Sequence, residues 1–340
     1  MSSTVVTTID DSALPALARA LDTEQMLPYL ARICGLQLDD LDPKNVTCSA
    51  QVLNHKRGRR CTIRYELAAC DDIGGPARSV AAIGKLYRER ETAARMFRWI
   101  RDLRNDRFDC VPTHLAFRAD LGLVLQEHVD APDLRHCLAA GNGKQAVSLA
   151  AQWLSVFHAT PPPMGVKVET PAQNVRKVAR WCEEIQPYLA SRGRRRLQEA
   201  QDALQGLVGQ MPRQSPALIH RDFYPANVLS DGQRIWVLDF DQLHLGDPAL
   251  DVGHFLAHVQ NVAYRATGRA DSLADAGAVF LRSYLRKNPL ELEPRLRFYR
   301  AWTFLKLAAK EANRKRGEWL HFLSVLTELA CREAEMEPES

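Results

Sequence analysis

The 340-residue sequence has no C-x-x-C pair, no large excess of either charge and no uninterrupted apolar run of about 18 residues. Its eight cysteines, at 34, 48, 61, 70, 110, 137, 182 and 331, are scattered without metal-ligand spacing, which argues against zinc modules and disulfide frameworks and for reduced thiols in a cytoplasmic chain. The opening "MSSTVVTTIDDSALPALARAL" lacks a basic start followed by an apolar stretch, so neither export nor membrane insertion is expected. Lys and Arg number 45 against 41 Asp and Glu, a net charge of +4. That near balance supplies no general attraction to nucleic acid.

What is present fits a globular protein: 46% hydrophobic and 25% charged residues can bury a sizeable core in one large domain or two coupled lobes. Leucines and alanines recur at helical spacing over 12–34, predicting one or two leading helices. From about residue 47 the texture changes to short β-rich runs, "TCSAQVLN", "CTIRYEL" and "SVAAIGKLY", separated by the polar turns "HKRGRR" and "DDIGGPAR". Such runs predict an antiparallel meander. A helix is expected over 89–104 and another strand within 121–129. Beyond Pro132 the pattern is mainly helical, over 144–159, 174–208, 249–264, 271–286 and 292–332. The expected organisation is a helical extension over 1–45, a strand-rich part over 46–130 and a helical part over 131–335, with "VDAP" as the hinge because proline disfavours helix at the residue before it. The acidic end "REAEMEPES" is expected to be a frayed, solvated tail.

One stretch interrupts the helices: "LIHRDFYPANVLSDGQRIWVLDFDQLHLGDPALD", residues 218–251. If "DGQ" is the turn of a short hairpin, the return run brings Asp239 back toward Asn227 and Asp222. Carboxylates clustered in this way repel one another and resist desolvation unless a cation or a proton is shared among them. Magnesium would resolve the conflict, since it takes hard oxygen ligands, keeps several waters and borrows the rest from substrate phosphates. A second carboxylate, standing off the metal, can orient a hydroxyl toward phosphorus, in a reaction that depends mainly on positioning and charge neutralisation.

"HRDFYPANVL" fits an H-x-D-x-x-x-x-N catalytic loop, "LDFD" follows its Asn by 12 residues, and "GDPALD" comes next. Together they resemble the aminoglycoside phosphotransferase and choline kinase group within the protein-kinase-like fold. The resemblance implies an α+β, bilobal fold with a small antiparallel-sheet N-lobe and a larger mainly helical C-lobe. It also implies ATP and Mg2+ as cofactors and a small hydroxylated molecule as phosphate acceptor. Carried over by residue, Asp222 resembles the catalytic base, Asn227 and Asp239 the magnesium ligands, His220 the histidine bracing the loop, and Asp251 a buried carboxylate supporting it from behind. Asp247, ahead of Pro248, reads as a helix cap.

The remaining parts follow from the same resemblance. Lys85 in "VAAIGKLYRER" resembles the strand lysine that holds nucleotide phosphates, and Glu89 is expected to be its partner in preference to Glu91, because Glu89 shares the face of Ala93, Met96, Phe97, Ile100 and Leu103. "LVLQEHVDA" resembles the strand entering an adenine-binding hinge, with Glu127, His128 and Val129 offering their backbone to the base. His158, closing an apolar helix, reads as structural. The family's phosphate loop falls on "NHKRGRRCTIRY", which has one glycine, Gly58, and the basic residues Lys56, Arg57, Arg59 and Arg60. Arg221 stands where the family usually has glycine, and an internal partner such as a carboxylate of the loop is expected for it. Only about ten residues separate Asp239 from the next helix and no A-P-E follows, so a shelf for a peptide substrate is missing. Residues 251–340 hold 14 Lys or Arg and 12 Asp or Glu, without the acidic excess that a polycationic acceptor would favour. The competing expectation is a nucleotide-binding module that keeps the fold and lacks the chemistry.

Overall fold

Strand β2, Arg60–Ala69, shows the two-residue period of a sheet with one covered face: Cys61, Ile63, Tyr65 and Leu67 are fully buried while the residues between them are more exposed. The protein is described here by a computed structural model covering residues 9–35, 46–69, 78–104, 108–211, 214–286, 292–293 and 295–335. The turn read at 71–78 lies outside the described residues except for Arg78, which opens a strand. The chain divides into two compact units, Met1–Asp130 and Ala131–Ser340.

In the first unit β2 joins β1 (Val46–Lys56), β3 (Arg78–Tyr87), β4 (His114–Arg118) and β5 (Leu123–Glu127) in one antiparallel sheet of order β1-β2-β3-β5-β4. Helices α1 (Leu17–Leu21) and α2 (Thr23–Ile33) cover its buried face with Leu17, Met26 and Leu30, and the Tyr65 hydroxyl donates to the Ala20 carbonyl at 2.7 Å. The leading helices thus complete this unit's core. Helix α3 (Arg90–Leu103) buries Ala93, Met96, Trp99, Ile100 and Leu103. Phe97, read from sequence as part of that stripe, is half-buried instead and stacks on His114 at 5.8 Å and Phe117 at 5.9 Å. Strand β4 had no forewarning in the sequence, because all five of its residues are half-buried and no alternation marks it.

The second unit contains α4 (Leu134–Ala139), α5 (Lys144–His158), α6 (Pro171–Ile185), α7 (Ser191–Gln210), α8 (Ala249–Thr267), α9 (Ala274–Leu285), α10 (Arg295–Arg314) and α11 (Trp319–Glu335). Two helical runs read as continuous are broken: 174–208 by a turn at Gln186–Tyr188, and 292–332 by Lys315 and Gly317, whose φ angles are 49° and 56°. Helix α6 opens with a capping box between Thr170 and Gln173. The tail expected to fray from residue 332 is helical to Glu335, because Glu333 is buried and its carboxylate pairs with Arg300; residues 336–340 lie outside the described residues. Helices α8 and α10 approach closely at Gly253, where a Cβ would stand 2.8 Å from that of Tyr299, and this contact carries the residues of one helix toward those of the other.

Five short strands lie between the helices: β6 (Lys167–Val168), β7 (Ala217–Ile219), β8 (Val228–Ser230), β9 (Ile235–Val237) and β10 (His244–Gly246). β8 and β9 form the hairpin read from the sequence, with Val228 opposite Val237 and Ser230 opposite Ile235. Its turn is held by Asp231 Oδ1, which accepts the N–H groups of Gln233 and Arg234 at 2.9 and 2.7 Å. β10 runs antiparallel to β7 and parallel to β6. Among the described residues no helix is long and apolar enough to cross a membrane.

Candidate active site

The loop leaving β7 is fixed from behind by one carboxylate. Asp251, in the first turn of α8 and fully buried, accepts the backbone N–H of His220 and that of Arg221, each at 2.6 Å. Its Oδ2 also lies 3.1 Å from His158 Nε2, and His158 Nδ1 lies 2.8 Å from the Tyr284 hydroxyl. Arg221 has φ 66°, a left-handed conformation that costs a residue with a side chain roughly 1–2 kcal/mol. The His220 ring is packed 4.8 Å from Phe240, and burial pushes its pKa down, so the imidazole is neutral. The reversal at Arg221 leaves the Asp222 carboxylate partly exposed, with its Oδ1 3.2 Å from Lys306 Nζ and 3.9 Å from His254 Nε2.

Hairpin register relates the other two oxygen donors. The Leu238 N–H donates to the Asn227 carbonyl at 2.9 Å, extending the β8–β9 ladder by one step and setting Asp239 immediately beyond Asn227. The Asn227 amide nitrogen donates to the Asp222 carbonyl at 2.9 Å, which turns Oδ1 away from that contact. Asp239 is left-handed, with φ 65° and ψ 61°, a conformation that persists in a residue other than glycine only where the surroundings over-determine it. Asp222 and Asp239 both act on Tyr224: burial first, and then these two negative charges, push its phenol up to about 12. Among the described residues no group of three or more His, Cys, Asp or Glu is disposed to hold a metal ion. One amide oxygen and one carboxylate are nevertheless a donor set that suits Mg2+, which fills its other positions with phosphate oxygens and water.

The wall facing Asp222 was not anticipated. Lys306 comes from α10, and His254 and His258 come from α8; the Tyr224 and His258 rings stack at 4.3 Å, and His254 Nδ1 lies 3.1 Å from the Thr303 hydroxyl. Burial, and after it the charge of Lys306, holds both histidines well below their usual pKa. Lys310 is lowered too, by burial and then by Arg314 and Lys306. The signal that could have exposed this wall is the recurrence of Lys306, Lys310 and Arg314 at four-residue steps along a mostly apolar helix.

In the first unit Lys85 lies on β3, opposite Thr62 of β2 and Val124 of β5. Glu89 is the exposed N-cap residue of α3 and accepts the Thr92 hydroxyl at 3.2 Å, while Glu91 is exposed in the first turn. Glu127 ends β5 and donates its N–H to Thr113 at 2.8 Å; His128 and Val129 follow, half-buried. The basic turn between β1 and β2 is bent at Gly58, φ 68°, and the Gly58 N–H donates to Asp11 Oδ2 at 2.7 Å, the same oxygen that lies 2.7 Å from His55 Nε2. That amide is therefore engaged within its own unit. Arg221 pairs with Glu169, just ahead of α6, rather than with a carboxylate of its own loop. Asp247 Oδ1 accepts the Ala249 N–H at 3.0 Å at the start of α8, and its Oδ2 lies 3.6 Å from Arg295 Nε.

Comparison with known proteins places this geometry. No curated protein matches the sequence significantly. Among solved structures, choline kinase from Cryptosporidium parvum Iowa II superposes with a TM-score of 0.62 at 10% identity, covering 91% of this chain and 95% of that one. A choline/ethanolamine kinase family protein from Mesorhizobium loti gives 0.59 at 13% identity, with 92% and 95% covered. A thermostable mutant of aminoglycoside phosphotransferase APH(4)-Ia, in ternary complex with AMP-PNP and hygromycin B, gives 0.59 at 15% identity, with 90% and 98% covered. Identities this low establish the fold: an antiparallel five-stranded N-terminal sheet followed by a mainly helical region, as in these kinases. The model of the phosphotransferase enzyme family, APH, matches residues 73–312, which is more than two thirds of the sequence and spans the loop after β7 and the β8–β9 hairpin, and the chain belongs to that family.

Proposed function

We propose that the protein is an ATP- and Mg2+-dependent kinase that transfers the γ-phosphate to a hydroxyl of a small molecule. The observation that carries this reading is the loop held by Asp251, which presents Asp222 beside Asn227 and Asp239 in hairpin register. With Oδ1 against Lys306, Oδ2 of Asp222 is the oxygen that accepts the acceptor hydroxyl's hydrogen bond and then its proton. Asn227 and Asp239 would hold Mg2+, which supplies charge neutralisation on the phosphates when bound. In the first unit, Lys85 is assigned to nucleotide phosphate, with Glu89 as its orienting carboxylate, and the backbone of Glu127, His128 and Val129 to the base. His220 and Asp251 support the loop. An AMP-PNP complex of the APH(4)-Ia relative is consistent with the nucleotide assignment.

The acceptor class follows from what surrounds Asp222. The short span from Asp239 to Ala249 offers no shelf for a peptide, and Lys306, Lys310 and Arg314 oppose a polycation at this wall. Sugars and polyols fit better than aminoglycosides. The test is an ADP-release screen over alcohols, sugars, amino alcohols and aminoglycosides, followed by Asp222→Asn. The variant is expected to lose on the order of 10²- to 10⁴-fold in acceptor-stimulated turnover, with Mg2+–AMP-PNP affinity little changed. Full turnover in the variant would remove Asp222 from this role. Tight nucleotide binding with no acceptor-stimulated ADP release across the panel would favour a binding module.

A further inference from the structure

A second site lies on the other side of Arg221. A cavity of about 400 Å³ opens between α6 and the small β6-β10-β7 sheet. Arg176, Lys177 and Arg180 enter it from α6 at the three- and four-residue steps that put side chains on one helix face. Lys167 enters from β6, and Arg221 from the loop after β7. Among the described residues the only acidic one lining the cavity is Glu169, and it is already engaged by both Lys177 and Arg221. Arg180 has a loose contact, 3.6 Å, with the half-buried Glu184 of its own helix, and its guanidinium lies 6.0 Å from the centre of the Trp181 ring. Among the described residues neither Lys167 nor Arg176 has an acidic partner.

Five basic side chains around one cavity with one internal carboxylate repel one another, and a further anion would relieve that repulsion. Lys177 registers the surplus: burial first, and then the charges of Arg221, Lys306 and Arg180, lower its pKa to about 7. Three guanidinium groups offer forked donors that match the oxygens of a phosphate monoester better than a single ammonium would. We infer that this cavity is a phosphate-binding site, distinct from the Asp222–Asn227–Asp239 centre, and that its ligand is inorganic phosphate or the phosphate group of a small phosphorylated molecule. Glu169 is the built-in competitor of that ligand, holding Lys177 and Arg221 until phosphate arrives.

The inference does not depend on kinase activity, and calorimetric titration of the whole chain with inorganic phosphate tests it directly. Saturable binding at one equivalent is expected, weakening as salt rises. The double substitution Arg176→Ala/Arg180→Ala removes two exposed side chains, should leave the melting temperature unchanged, and is expected to weaken binding by about tenfold or more. Glu169→Gln should act in the opposite direction and tighten binding by about threefold or more. A parallel titration with hexose 6-phosphate separates the two sources: tighter binding than inorganic phosphate identifies a phosphorylated small molecule as the ligand, and weaker binding identifies the free ion. No saturable binding by the unsubstituted chain, or equal affinity in the folded double variant, would overturn the proposal.

Discussion

Two loops of this chain are held by the same device and differ in the residue at the bend. In the first unit Asp11 takes the Gly58 N–H, and in the second Asp251 takes those of His220 and Arg221; each carboxylate reaches across a long stretch of sequence to a left-handed residue, φ 68° at Gly58 and φ 66° at Arg221. Glycine adopts that conformation without a Cβ penalty, so one accepted N–H suffices to fix the turn. Arginine does not, and its loop carries more restraint: a histidine lies on the carboxylate in both loops, His55 on Asp11 and His158 on Asp251, but Asp251 takes two N–H groups and the Arg221 guanidinium is also tied to Glu169. What arginine adds at this bend is a side chain that reaches Glu169. A bend alone would be better made by glycine.

Asp251→Ala should disturb these loops the most. Two backbone donors and His158 would lose a common acceptor in a fully buried place, and a loss of roughly 3–5 kcal/mol is expected, read as a lowered denaturant midpoint. A change below about 1 kcal/mol would mean that the loop is held by something else. Next is the contrast between Arg221→Gly and Arg221→Ala. Both remove the guanidinium, so their difference isolates the backbone: the glycine variant should be more stable by about 1 kcal/mol, and equal midpoints would show that the φ at this position carries no strain. Last comes Asp11→Ala. It should lower stability by about 1 kcal/mol and appear as faster hydrogen exchange at the Gly58 amide; unchanged exchange there would remove Asp11 as the anchor of the turn.

The legible parts of this protein are those whose signal is local. The β8–β9 hairpin could be placed because "DGQ" demands a turn and its flanks are short apolar runs. The spacing of Asp222, Asn227 and Asp239 could be read because the hairpin converts a fixed number of residues into a fixed register. The breaks at Gln186–Tyr188 and Lys315–Gly317 were harder to see, since helical periodicity on both sides runs past a turn of only a few residues. Strand β4, evenly half-buried, never presents the alternation by which strands are recognised. The partner of Arg221 was sought within its own loop and is Glu169, 52 positions away in the chain.

By itself the sequence determined which residue types stand at which spacing: two carboxylates and an amide at hairpin spacing, a lysine within a strand, and an aspartate at a helix start, since each depends on residue type and short-range geometry. Tertiary structure alone decided what faces them. The Lys306 ammonium beside Asp222, the Asp11 carboxylate on Gly58 and the ring of cations around Glu169 all come from segments distant in sequence, and electrostatic contact depends on distance through space, which no local pattern of residues encodes.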